Sequence, residues 1–110
     1  MVSIAIVTIR QPRMRLPLDS YVVDTLMGDL LGHDRAPSAF VVYLYLWRHT
    51  RGVAKPFAGL SLQTIATETG LSKSSVQNAL RRLKRRRLVG VRRDGPTAPC
   101  RYEVHEPWKR

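Results

Sequence analysis

A mainly helical α+β fold is what the sequence predicts, and three observations predict it. Apolar residues recur at helical spacing over 19–31, from Ser38 through the following dozen residues, and over 61–83. Near the C-terminus, Leu88 to Arg93 and Cys100 to Val104 alternate on either side of the turn sequence Asp94 to Pro99, the pattern of a β-hairpin. The 110 residues, 44% of them hydrophobic, suffice for one compact core and leave little for a separate ligand or catalytic unit.

The opening stretch Val2 to Ile9 mixes Val, Ile and Thr in short alternation and reads as a strand, ended by the segment Arg10 to Arg15 with its Pro12. It lacks a basic segment before it and a small-residue cleavage site after it, and falls far short of the roughly 20 residues of a spanning helix. A soluble cytoplasmic protein with no membrane role is therefore expected. From Asp19 to Leu31, Val22, Val23, Leu26, Met27, Leu30 and Leu31 mark an amphipathic helix, with Asp19 as N-cap and Gly32 as its stop.

Pro37 suits the first turn of the next helix, whose run AFVVYLYLWRHT is apolar on every side. Phe40, Val41, Leu44 and Trp47 form one stripe; Val42, Tyr43, Tyr45 and Leu46 lie on others. Such a helix is central or contacts a partner. Arg51 to Gly59 reads as a loop because of Gly52, Pro56 and Gly59. Ser61 then caps a short helix that Gly70 ends, and Ser72 caps another carrying Val76, Ala79, Leu80 and Leu83 at i, i+3, i+4 and i+7.

Charge narrows the function classes. With 19 Lys+Arg against 8 Asp+Glu the chain carries +11, which calls for a polyanionic partner. The excess is not spread evenly: residues 73–93 hold nine cations and no acid, whereas Asp19, Asp24, Asp29 and Asp34 gather around the first helix. The basic segment is expected to face the polyanion and the acidic helix to face away. A single cysteine, Cys100, allows no internal disulfide and no CxxC pair. His33, His49 and His105 lack metal-ligand spacing, and no paired carboxylates, Ser/His/Asp set or phosphate-cradling glycine loop is present. Neither an enzyme, nor a metal, nor a cofactor is expected.

Two helices joined by a short glycine-bearing turn and followed by a basic hairpin have the layout of a winged helix-turn-helix. In LQTIATETGLSKSSVQNALR, Ile65 and Leu71 can pack beneath Val76, Ala66 is small enough for close helix approach, and Gly70 supplies the left-handed backbone of the turn. From Ser38 to Val104 the sequence resembles the winged helix-turn-helix DNA-binding domains of bacterial regulators, including the GntR-type and related phage and plasmid replication modules. The matching pattern runs L-x-x-I-A-x-x-x-G-L-S-x-x-S-V-x-x-A-L-x-x-L. The resemblance implies a three-helix core plus a C-terminal β-hairpin wing, here with an added N-terminal strand and amphipathic helix, and DNA binding as the activity. One position departs from the family's pattern: glycine is usual shortly before the first wing strand, and this chain has Arg87. On a wheel anchored at Val76, Arg87 would point at the core, so the helix is expected to turn before it.

The same wheel puts Ser74, Asn78, Arg81 and Arg85 opposite the apolar stripe. Base edges in the major groove are met mainly by the N-terminal half of a recognition helix, so base reading falls to Lys73, Ser74, Gln77, Asn78 and Arg81. Gln and Asn can bridge adenine, and Arg can grip guanine. Phosphate anchoring falls to Ser61 and Ser72 at helix starts, to Ser75, Arg82, Lys84, Arg85 and Arg86, and on the wing to Arg92, Arg93 and Arg101. Ser61 and Ser72 serve equally as plain N-caps, and a basic run alone can be no more than a solvated helix face.

The reading is thus a small transcriptional regulator that binds double-stranded DNA sequence-specifically. Residues 1–36 are expected to act as a dimerisation extension giving a homodimer, residues 37–110 as the DNA-binding domain, and no small-molecule effector is expected. The rival is a plasmid or phage replication or partition adaptor that binds an origin and recruits proteins. An RNA-binding role fits less well, because no aromatic stacking platform is evident on exposed strands.

Overall fold

The computed structural model describes residues 14–109. The strand expected over 2–9 lies outside the described residues. Among the described residues, four helices and a small three-stranded antiparallel sheet make a mainly helical α+β fold: α1 over 20–33, α2 Pro37–His49, α3 Leu62–Thr69 and α4 Lys73–Arg85, with strands β1 Ala58–Gly59, β2 Val89–Arg92 and β3 Arg101–Val104 in the order β1-β3-β2. Among the described residues no helix is long and apolar enough to cross a membrane.

Asp19 caps α1 as the sequence predicts, its Oδ1 accepting the Tyr21 N–H at 2.9 Å. The interior of α1 differs from the expected α-helix. Val22–Leu26 and Asp29–His33 are wound as π-helix, whose bonds reach back five residues and widen the turn. Positions four apart then fall on one face, so Val22, Leu26 and Leu30 are buried while Val23 and Leu31 point outward. Nor does Gly32 stop the helix. It runs on to His33, and Arg35 turns left-handed (φ 51°) so that the Ala36 N–H reaches the Leu30 carbonyl at 2.7 Å.

Pro37 occupies the first turn of α2, which is central. Its all-round apolarity is explained by neighbours on several sides, since it packs against α1, α3, α4 and β3 and buries Ala39, Phe40, Val42, Tyr43, Leu46 and Trp47. Its polar tips are satisfied: Tyr43 Oη donates to the His105 carbonyl at 2.9 Å and Trp47 Nε1 to the Pro17 carbonyl at 2.7 Å. Both bonds tie segments flanking the helices to the middle of the fold.

The expected loop Arg51 to Gly59 contains more structure than its composition suggests. A 3-10 turn, Arg51–Val53, leads through left-handed Ala54 (φ 55°) to β1, where Ala58 pairs with Tyr102 and Gly59 with Arg101. The predicted hairpin is therefore the larger part of a three-stranded sheet, with β1 covering what would otherwise be an open edge of β3. Two residues are too few to show alternation in a sequence.

The α3–α4 unit follows the sequence closely. Ser61 Oγ accepts the Thr64 N–H at 3.0 Å, Gly70 is left-handed (φ 80°), and Ser72 Oγ accepts the Ser75 N–H at 3.1 Å. Ile65, Ala66 and Val76 are buried between the helices, with Leu71 at the rim. Helix α4 does end before Arg87, as expected, and Arg87 itself takes the left-handed conformation at φ 59°. The Arg87 N–H donates to the Lys84 carbonyl at 3.0 Å and the Leu88 N–H to the Leu83 carbonyl at 2.9 Å. That is a Schellman ending with arginine where glycine is usual.

One core joins these parts. Val22, Leu26 and Leu30 of α1 belong to the same buried cluster as Leu46, Ile65, Leu83, Leu88 and Val104. Residues 19–36 are thus built into the packing that supports α4. The C-terminal tail returns over α1, with Trp108 stacked on Tyr21 at 4.4 Å, Arg51 bonded to the Val104 carbonyl at 3.0 Å, and Lys109 3.6 Å from Asp19.

Candidate nucleic-acid interface

Helix α4 is held by one face only. Val76, Ala79, Leu80 and Leu83 are buried against α2 and α3, so the 3.6-residue period turns Lys73, Ser74, Gln77, Asn78, Arg81, Lys84 and Arg85 outward, and all seven are exposed. Ser75 and Arg82 lie at the half-buried margin. The five residues expected to read bases therefore share one exposed surface.

Arg81 sits on a ridge between two shallow cavities. One, of about 310 Å³, lies between α4 and the sheet and is lined by Gln77, Leu80, Arg81, Lys84, Val91 and Tyr102. The other, of about 340 Å³, is lined by Asn78, Arg81, Arg82 and Arg85. Hydrogen-bonding tips and cations thus flank grooves that open outward along the helix. Burial, with the neighbouring Cys100 thiol, pushes the Tyr102 phenol up to about 12, so the groove wall is a neutral ring at ordinary pH.

The remaining predicted residues divide by what already holds them. Ser61 and Ser72 are exposed but occupied as N-caps, Ser72 Oγ also meeting Ser74 and Ser75 hydroxyls at 3.2 and 2.9 Å. Arg92 and Arg93 are exposed at the far end of β2. Arg86 and Arg101 are different. Arg86 Nε lies 3.4 Å from Asp34 Oδ2 and its Nη2 3.7 Å from Asp29 Oδ2, which directs this side chain toward α1. A hydrogen bond from His33 Nδ1 at 2.9 Å, aided by Arg86 and Arg82, holds the Asp34 carboxyl below its usual range in spite of burial. Arg101 is drawn to Asp94 at 2.6 Å.

Of the nine cations in 73–93, only Arg86 makes an ion pair among the described residues. The other eight add a positive field to the α4 and β2 side of the molecule. Away from that surface, α2 and α3 are linked by a polar cluster in which Tyr45 Oη donates to Glu68 Oε1 at 2.5 Å and His49 packs on the Tyr45 ring at 4.5 Å. Burial and the nearby Arg48 depress the His49 pKa, and burial with the Glu68 bond raises that of Tyr45.

Arg87, where the sequence departs from glycine, is exposed beside the α4 terminus. Phe57 covers the Arg101 guanidinium at 4.5 Å, a contact for which residues 44 positions apart give no sequence signal. Among the described residues no group of three or more His, Cys, Asp or Glu is placed to hold a metal ion.

Residues 36–89 match the family model of a helix-turn-helix domain, a span that takes in α2, α3, α4 and the first residue of β2. Neither a curated protein nor a solved structure matches the chain.

Proposed function

We propose that the helix-turn-helix domain of residues 36–89 binds double-stranded DNA sequence-specifically and that the protein is a small, non-enzymatic transcriptional regulator of the bacterial cytoplasm, of winged type. In this reading α4 enters the major groove, where Gln77 and Asn78 pair with adenine edges and Arg81 with guanine. Lys73 and Ser74 complete the base contacts. Arg82, Lys84 and Arg85 neutralise phosphates along both margins, with Ser61, Ser72 and Ser75 at the helix starts, and the β2–β3 hairpin is the wing that brings Arg92 and Arg93 to the flanking backbone. The kinship with GntR-type and phage or plasmid modules that the motif suggests belongs to the same proposal, as does pairing of two copies without a small-molecule effector.

The observation that carries this reading is the outward face of α4, where hydrogen-bonding side chains and cations without an ion pair among the described residues surround Arg81 on a helix whose other face is fixed in the core. Selection of bound sequences from random duplex DNA tests it. Recovery of one short motif, palindromic for a homodimer, is expected; a pool that shows no enrichment would contradict sequence-specific binding.

A second reading has its own observation. Met14, Leu16, Leu18, Val23 and Leu31 are large apolar residues left exposed on or before α1. In a replication or partition adaptor they would dock a recruited protein instead of a second copy. Copurification of a helicase-loading protein with the intact chain favours the adaptor, and self-association through the same residues favours the regulator.

A further inference from the structure

Arg101 is gripped from two sides by segments distant in the chain. Its Nη2 lies 2.6 Å from Asp94 Oδ2, in the connection that follows β2, and its guanidinium carbon lies 4.5 Å from the ring centroid of Phe57, just ahead of β1. β3 is the middle strand, and Arg101 is the residue paired with Gly59 on one side and Arg92 on the other. Paired residues of an antiparallel ladder share a face, so Arg92 and Arg101 stand on the side of the sheet away from buried Tyr102 and Val104. The ring takes one flat face of the guanidinium and the carboxylate takes one edge.

This arrangement accounts for two features. Phe57 is left 38% exposed, and an acid, Asp94, stands at the tip of a hairpin that carries Arg92, Arg93 and Arg101. Asp94 balances the Arg101 charge, whereas Arg92 and Arg93 have no carboxylate partner among the described residues. Resting on the DNA-binding reading, the geometry points to Arg101, Phe57 and Asp94 as a clamp that sets the direction of the 93–100 connection relative to α4. Arg101 is then a positioning residue that acts through Arg92 and Arg93 and does not itself touch phosphate.

The test uses the full chain with Arg101→Met, Phe57→Leu, Phe57→Trp and Arg92→Met. Backbone order parameters from nitrogen-15 relaxation are measured across 93–100 without DNA, and binding to a mixed-sequence duplex is measured against salt. The clamp predicts lowered order in Arg101→Met and Phe57→Leu, and wild-type order in Phe57→Trp, which keeps an aromatic face. It also predicts that Arg101→Met, in which Arg92 and Arg93 still reach phosphate but must be ordered on binding, weakens duplex binding several-fold with the salt slope unchanged, whereas Arg92→Met, which removes a contact, makes the slope shallower by about 0.9. Unchanged order in Phe57→Leu, or a slope shallower by about 0.9 in Arg101→Met, overturns the proposal. If the wild-type chain shows no salt-dependent duplex binding, the DNA-binding reading fails, and the order parameters alone then decide whether the clamp exists.

Discussion

The Leu88 N–H donates to the Leu83 carbonyl across Arg87, and this 2.9 Å bond closes α4 and starts the path into β2. Leu83 and Leu88 are both buried, so the apolar contact that accompanies a Schellman ending is present as well. The left-handed conformation it requires costs a side-chain-bearing residue roughly 1–2 kcal/mol, partly offset because glycine has more freedom to lose on folding. Arg87→Gly is therefore expected to stabilise the protein by up to about 1 kcal/mol and to raise its Tm by a few degrees. Thermal unfolding checks this, and a lower Tm would contradict the strain.

Arg85 and Arg86 are adjacent in sequence and are expected to behave differently. Arg85→Ala should make the slope of log K against log salt shallower by about 0.9, at little cost in stability. Arg86 is committed to Asp29 and Asp34, so Arg86→Ala should leave the slope near wild type while lowering stability. Asp34→Ala, which takes the nearer of two carboxylates from the partly buried guanidinium, should cost about 1 kcal/mol in urea unfolding. Equal slopes for the two arginine variants would mean that Arg86 reaches DNA too.

In the proposed complex, base reading and anchoring should be separable. Asn78→Ala or Gln77→Ala should relax preference at one position of the selected site by about 1–3 kcal/mol, whereas Arg82→Ala should weaken all sequences alike. Competition binding with single-substitution duplexes distinguishes the two patterns.

His49 links stability to mild acid. Its pKa lies below 6.5 in the folded chain, through burial first and then Arg48, with Lys55 acting the same way and Glu68 opposing. The unfolded chain therefore binds the proton more readily. The His49 contribution to stability should be constant above about pH 6.5 and fall as pH drops from there through the folded pKa. Asp34 acts in a lower window: its carboxyl is held below 3.8, so its contribution is present above that value and lost as pH falls further. Urea unfolding at several pH values should show the first decline in the wild type and a flatter profile in His49→Gln.

The proposed pairing of two chains cannot be tested by removing residues 1–36, because Val22, Leu26 and Leu30 would leave the core with them. Val23 and Leu31 face outward instead. Val23→Glu with Leu31→Glu should convert a sedimenting dimer to a monomer with little change in Tm. A wild-type chain that sediments as a monomer would rule out self-pairing.

Local chemistry explains which parts were legible in the sequence. Ser61, Gly70 and Ser72 each do a job that few residue types can do, so the α3–α4 unit and its exposed face could be placed from spacing alone. The stop of α1 could not, because Arg35 adopts a left-handed backbone that residue identity argues against. The π-wound turns were hidden by the same logic, since the apolar pattern of α1 fits a 3.6-residue period. Strand β1 owes its existence to a partner some 40 positions away. Within the site, exposure followed from periodicity, but the capture of Arg86 and Arg101 by Asp34 and Asp94 depends on how separate elements meet.

In the proposed complex the outer face of α4 lies toward DNA and the acidic α1 away. Amide resonances of the full chain, followed while a duplex DNA is titrated in, read this orientation. Perturbations are expected to concentrate in Lys73 to Arg85 and around Arg92 and Arg93, with 20–33 unmoved. Perturbations centred on α1, with those of α4 absent, would contradict it.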